Sequence, residues 1–390
     1  MTDRFTETTS TSWFSRLGGA IKGIFAGIIL FFGSIILLWW NEGRAVQTAK
    51  GLEEGSSSVI EVDASNIVQE NNGKLVYISG SVFTNDTLKD EQFGVSAHAI
   101  HLKRNVEIFL WKESIKSEKR KKIGGGEETI KTYDYKKDWS PRLIESSAFK
   151  IQEGHENPNI VPYDEINISA SNISLGKYDL TNIINNFQNE TPVVFNDLDS
   201  SYYADSSFST TIVQNTGDKS YIYRGNGSFL NPKIGDLRIS FTTVSLDNYS
   251  IIGKQANNTI ETYTTSHETS ILMLNKGVVS AHTMFKQAES NNKILTWILR
   301  LVGAFAMYLS VIMVLKPISV IADVLPFLGN IVEFGLSLLA GIFSLSISLI
   351  VISLAWIFYR PIIGALLLSI VFVLFIIWRK RSKSSISQKS

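Results

Sequence analysis

The sequence contains no cysteine. That absence excludes disulfide staples, thiolate metal sites, iron–sulfur clusters and a cysteine nucleophile together. Histidine is scarce as well, with only His98, His101, His155, His267 and His282 present. None belongs to an HExxH pair, and His98 and His101 lack the neighbouring carboxylate pattern that would complete a metal site. The glycine loops that cradle phosphates, GxxxxGK[ST] and GxGxxG, are missing, as is the GxSxG turn that aims a serine at a base. Ser147–Lys150 and Ser174–Lys177 both match Ser-x-x-Lys, but without the companion motifs that give that pattern meaning. No catalytic residue, metal or cofactor is expected, and the chain reads as a non-enzyme.

A surplus of one charge is also missing. Lys and Arg total 37 against 36 for Asp and Glu, a formal charge of +1, so no one-signed field draws nucleic acid to the protein. Charged residues are only 19% of the 390 and hydrophobic ones 44%, too apolar a balance for an ordinary soluble enzyme. Part of the chain is therefore expected in lipid, with membrane lipid as its first partner.

Four apolar runs carry that expectation. Residues 23–40 (GIFAGIILFFGSIILLWW) hold no charge and are long enough to cross a hydrocarbon core of about 30 Å. They read as a retained span, not a cleaved signal peptide, because the run exceeds a signal core and Trp39-Trp40 forms an interfacial anchor. Residues 294–315, 334–359 and 360–378 supply three more, the last two joined by a tight corner at Phe358–Pro361. Between the second and third, residues 316–333 carry two prolines and flanking charges and are expected to lie along the interface. The N-tail, residues 1–22, carries Arg4, Arg16 and Lys22, and the basic tail 379–390 carries Arg379, Lys380 and Arg381, so both ends are expected in the cytoplasm. Residues 41–293 then form an extracytoplasmic domain.

That domain has the period-2 alternation of a sheet. In residues 235–244, Leu237, Ile239 and Phe241 face one way while Arg238, Ser240 and Thr242 face the other. Residues 75–82 and 106–111 read similarly, and Leu180, Ile183, Ile184 and Phe187 share one face of a short helix. The fold class is α+β: a large β-rich extramembrane domain flanked by one N-terminal and three C-terminal transmembrane helices. The polar stretch 188–207 is a possible seam between two units. Lys116–Lys122 and the following Gly124–Gly126 read as a charged connection between strands, with a polybasic headgroup patch as the alternative.

The spans also carry packing information. Gly19, Gly23 and Gly27 make a GxxxGxxxG series, and Ser337, Gly341, Ser344 and Ser348 a second small-residue stripe, where helix backbones approach closely within one chain or between copies. These seven residues are the candidate packing and oligomerisation sites, and a homo-oligomer is expected, with other membrane proteins as further partners. Two alternatives stand beside this scaffold reading. An anchored enzyme would use residues 139–158, where Arg142, Glu145, His155 and Glu156 cluster. A channel or transporter would use the serines of the third span as its polar lining.

Several segments in order resemble the LUMA family, transmembrane protein 43. They are Asn41–Ala45, Phe93–Val95, Leu102–Trp111, Trp139–Pro158, Gly235–Phe241 and Trp356–Pro361. The basic loop around Lys116–Gly126 and the charged tail depart from the family pattern. The resemblance implies one N-terminal span, a large lumenal domain, three C-terminal spans and a membrane-organising role with oligomerisation; it implies no active site. It further implies the endoplasmic reticulum and inner nuclear membrane in a eukaryote, or an inner membrane with a periplasmic domain in a bacterium.

Overall fold

The structure, a computed structural model, describes residues 4–194 and 210–360. Three long helices dominate one part of it. Helix α1 runs Trp13–Ser58, α2 runs Ala281–Ala322 and α3 runs Pro326–Tyr359. Ser12 and Ser280 begin the first two in the same way, each hydroxyl accepting from the backbone N–H three residues on. All three are long and apolar enough to cross a membrane. The described residues thus support three spans, where four are expected from the sequence; the fourth, within 360–378, lies outside the described residues apart from Arg360.

Residues 316–333 do not form a separate segment between the helices. Helix α2 continues through Pro317 to Ala322, and α3 starts at Pro326 after a three-residue turn. Pro317 sits close enough to the helix end to forfeit one backbone hydrogen bond without ending it, while Pro326 occupies the first turn, where no N–H is required. The helices are also longer than a bilayer needs. At 46 residues, α1 measures about 69 Å, and its second half leaves the apolar zone to pack on the sheet domain.

Among the described residues that domain has two large sheets and two small two-stranded ones. Its elements include β1 (Arg4–Thr11), β2 (Leu75–Phe83), β3 (Ala99–Lys121), β4 (Glu127–Ser140), β5 (Thr210–Thr216), β6 (Lys219–Gly225), β7 (Leu237–Ser245), β8 (Asn248–Ala256) and β9 (Met273–Lys276). The first sheet runs in the order β1-β4-β3-β7-β6-β5; in the second, β8 lies between β9 and β2. Between the sheets, Ile78, Leu102, Ile108, Ile239, Phe241 and Ile251 are buried in one continuous core. Described residues from both sides of the possible seam at 188–207 share that core. The expected helix over 180–187 is a 3-10 turn, Thr181–Asn186, with Ile183 buried and Phe187 beneath it. A second apolar cluster, including Leu52, Tyr77, Ile252, Ile271 and Phe285, joins the sheets to α1 and α2. Gly51 and Gly55 permit that contact: a Cβ there would strike Thr269 at 2.3 Å and Ile271 at 2.4 Å.

Strands β3 and β4 extend far beyond the core. Their pairing continues from Ile108 and Ser140 to Lys121 and Glu127, and β1 adds a third strand along Glu127–Asp134. Lys116–Lys122 is therefore part of a strand and its turn. Gly124 and Gly125 close the turn at φ of 87° and 81°, a region that favours glycine. The tip is fastened to the membrane helices: the Gly124 N–H donates to the Val324 carbonyl, Arg16 donates to the Gly125 carbonyl, and Trp13 packs against Gly125. Lys121 reaches Asp323 at 2.8 Å and Glu333 at 2.6 Å.

Candidate membrane-interface site

The apolar zone of the helices is bounded at each end by a charged cluster. At the domain end, Glu42 on α1 is buried and accepts two hydrogen bonds from Arg300 on α2, at 2.6 and 2.8 Å. The Trp356 indole N–H on α3 donates to the same carboxylate at 2.7 Å. One carboxylate thus ties three helices together. The Arg300 guanidinium lies 4.8 Å from the Trp297 ring centroid and 5.5 Å from that of Trp356, a position suited to cation–π attraction. A fork-shaped cation held bidentately by a buried acid is the geometry in which such a pair overcomes its desolvation cost.

Neighbouring residues extend the cluster. Arg44 donates to Asn292 and Thr296 side chains at 2.9 and 3.0 Å, Asn41 donates to the Thr296 carbonyl, and Asn292 donates back to the Ala45 carbonyl. Tyr359 stands against Gly43, where a Cβ would meet its ring at 2.6 Å. The segments Asn41–Ala45 and Trp356–Arg360, which carry part of the family resemblance, thus meet in space.

Arg300 lies near the start of the apolar run 294–315, a position from which its side chain is expected to reach toward headgroups, and no motif singles out Glu42. A usable signal existed: one acid just past the first span and one base inside the otherwise apolar second. Opposite charges so placed on antiparallel helices find each other because lipid offers neither another partner.

The small-residue series divides by position. Gly27 packs on α2, where a Cβ would lie 2.9 Å from the Ser310 carbonyl oxygen. Ser344 and Ser348 are buried, and Ser348 lies 3.5 Å from the Met307 sulfur, so both serve packing within the chain. Gly19 and Gly23 have nothing within 4 Å of an added Cβ and line a cleft between α1, α2 and the outer ends of β3 and β4. Gly341 has only the Tyr308 ring near, at 3.9 Å, and Ser337 is half-buried beside Lys316 and Glu333.

The residues of 139–158 are not brought together as a site. Arg142, Glu145 and Glu156 are exposed, whereas His155 is buried, stacked on Tyr135 at 4.0 Å with Trp111 edge-on at 4.7 Å. Burial and the Glu113 carboxylate push the Tyr135 hydroxyl up to about 12, so it remains a donor to Glu113. His101 is held between Ser169 and the Ile184 carbonyl, and His98 contacts the Thr84 carbonyl. Among the described residues no group of three or more His, Asp or Glu side chains is arranged to hold a metal ion.

The family model for transmembrane protein 43 matches residues 108–361. Transmembrane protein 43 of Rattus norvegicus is 28% identical over 390 residues, covering 97% of this chain and 94% of its own. The Homo sapiens protein is 28% identical, covering 96% and 94%, and the Drosophila melanogaster homolog is 26% identical, covering 88% and 90%. No solved structure matches. A family match over more than half the chain, with relatives aligned nearly end to end, places it: this integral membrane protein belongs to the transmembrane protein 43 family.

Proposed function

We propose that the protein is a non-enzymatic membrane scaffold that self-associates within the bilayer and presents its β-rich domain on the extracytoplasmic side as a platform for partners or lipids. The observation that carries this reading is the ribbon of β1, β4 and the outer half of β3. From Phe109 to Lys121 it covers about 40 Å at strand rise. Along α1, Arg16 to Glu42 covers about 39 Å at helical rise. The ribbon is therefore long enough to run beside the whole apolar zone, and it is fastened at the far end of that zone. Its sequences, KESIKSEKRK and EETIKTYDYKK, are charged throughout. Lipid does not solvate such a surface or its open strand edges. The outer edge of β1 and the edge of β3 beyond Trp111 have no strand partner among the described residues. Neighbouring copies that bring their ribbons together would shield these edges from lipid.

The absence of cysteine makes the test clean. Thr8→Cys on β1 combined with Lys116→Cys on β3 is expected to give disulfide-linked dimers and higher species in native membranes under mild oxidation. Monomer alone in those membranes, together with monomeric mass in lipid nanodiscs, would overturn self-association. The same ribbon supports a second reading, a channel whose aqueous path lies between copies. Ion flux across liposomes containing the purified protein distinguishes the two, because a scaffold leaves the bilayer sealed.

A further inference from the structure

At the domain end of the helices lies a cavity of about 500 Å³, directly above the Glu42–Arg300–Trp356 cluster. Its charges are ordered along the helix axes. Arg300 and Trp356 form the floor, with Trp297 at the side, 62% exposed. Arg360, four residues beyond Trp356, and Lys293, seven residues before Arg300, stand about 6 and 10 Å above that floor. Glu289 and Glu53, each eleven residues from the floor on its own helix, stand about 16 Å above it. Lys293, Arg360, Glu53 and Glu289 form no ion pair with one another or with other described residues, in contrast to the satisfied Glu42–Arg300 pair below them.

We infer that this cavity binds the headgroup of a zwitterionic phospholipid bearing a primary amine, an ethanolamine phospholipid. Its phosphate sits between Arg360 and Lys293 and its ammonium lies outward against Glu289 and Glu53. The order of charge matches the molecule from acyl chains to amine: aromatic surface, then cations, then anions. A primary ammonium donates hydrogen bonds to both carboxylates, which a quaternary choline does not. A glycerol headgroup would bring only hydroxyls toward Glu289 and Glu53, with no cation to pair them, and a serine headgroup would add beside its ammonium a carboxylate that the same two acids repel. The assignment goes beyond the scaffold reading and holds equally for a monomeric protein.

The test is lipid retention by the full-length protein, purified in mild detergent, incubated with an equimolar mixture of phosphatidylethanolamine, phosphatidylcholine and phosphatidylglycerol, and read by native mass spectrometry. The expected result is one ethanolamine lipid per chain, retained about tenfold more than either competitor. The charge exchange E289K with K293E inverts the order of the charges and is expected to abolish the preference. R360Q, at the exposed end of α3, leaves the packing intact and is expected to weaken retention severalfold. Equal retention of the three lipids would overturn the inference, and so would a preference unchanged in both variants. Displacement of the bound lipid by millimolar glycerophosphoethanolamine would assign the site to a soluble headgroup compound and overturn the lipid assignment.

Discussion

The two ends of the membrane helices solve one problem differently. At the domain end, Glu42, Arg300 and Trp356 come from three helices that already pack together, and the charge pair is enclosed by indole rings. At the other end, Arg16 and Asp323 also pair across helices, but Lys121 arrives from a strand turn some two hundred residues away in sequence and completes the cluster with Glu333. The first cluster fastens helices to each other, whereas the second fastens a soluble element to the helices. Burial differs within the second cluster: the Arg16 and Asp323 side chains are 8% and 0% exposed, as enclosed as Arg300 and Glu42 at 14% and 1%, while the added Lys121 and Glu333 are 18% and 40% exposed. Enclosure determines what a broken pair costs, because a charge that water reaches is screened and one that water does not reach is stranded.

The largest expected effect follows from that difference. Glu42→Ala strands Arg300 among apolar helices and frees the Trp356 N–H, a loss of about 3–5 kcal/mol. It should appear as a marked fall in unfolding temperature in detergent. Lys121→Ala leaves Asp323 with Arg16 and Glu333 with Lys316, so its cost is smaller and should be confined to faster amide exchange at residues 118–130. Equal destabilisation by the two substitutions would erase the distinction between the ends.

An intermediate effect separates the glycines. Gly27→Leu drives a side chain into the α2 backbone at Ser310 and is expected to cost about 1–3 kcal/mol through forced displacement of the helix. Gly23→Leu meets open space in the cleft and should leave thermal stability unchanged. Its effect, if the ribbon cleft takes part in assembly, is on oligomer size measured in nanodiscs. If both variants unfolded at the same lowered temperature, the division of the series would be wrong.

Much of the sheet core was legible because burial on one face leaves a period in the sequence. Leu237, Ile239 and Phe241 alternate, and the strand over Leu237–Ser245 matches the expectation over 235–244 within two residues. The membrane helices were legible because lipid demands long uncharged runs. The ribbon was not, because little of it is buried in the fold: after Trp111 strand β3 continues for ten residues without hydrophobic alternation, β1, RFTETTST, is polar but for Phe5, and between Glu127 and Trp139 only Tyr133 and Tyr135 are buried. Pairing with a neighbouring strand, which leaves no period, specifies these segments. The Glu42–Arg300 pair was hidden for another reason, since its partners are 258 residues apart and only the antiparallel packing of α1 on α2 makes them neighbours.

The smallest expected effect concerns how β1 is held to β4. The hydrogen bond from Lys150 to Glu7 and that from Arg4 to Asp134 hold both carboxyl groups below their ordinary range. A carboxylate whose pKa is lower in the folded state contributes stability above its unfolded value of about 4 and loses it as pH falls through the folded value. Both pairs lie at the exposed ribbon, so acidification from pH 6 to 3 should loosen β1 while leaving the sheet core intact. Hydrogen exchange at residues 5–11 measured against residues 237–245 reads that difference directly. Exposed pairs contribute little at high ionic strength, so added salt should narrow the gap between the two regions at pH 6 and have almost no further effect at pH 3. A gap that persists unchanged through both acid and salt would mean that the backbone ladder from Arg4–Asp134 to Thr11–Glu127 holds the strand without help from its charges.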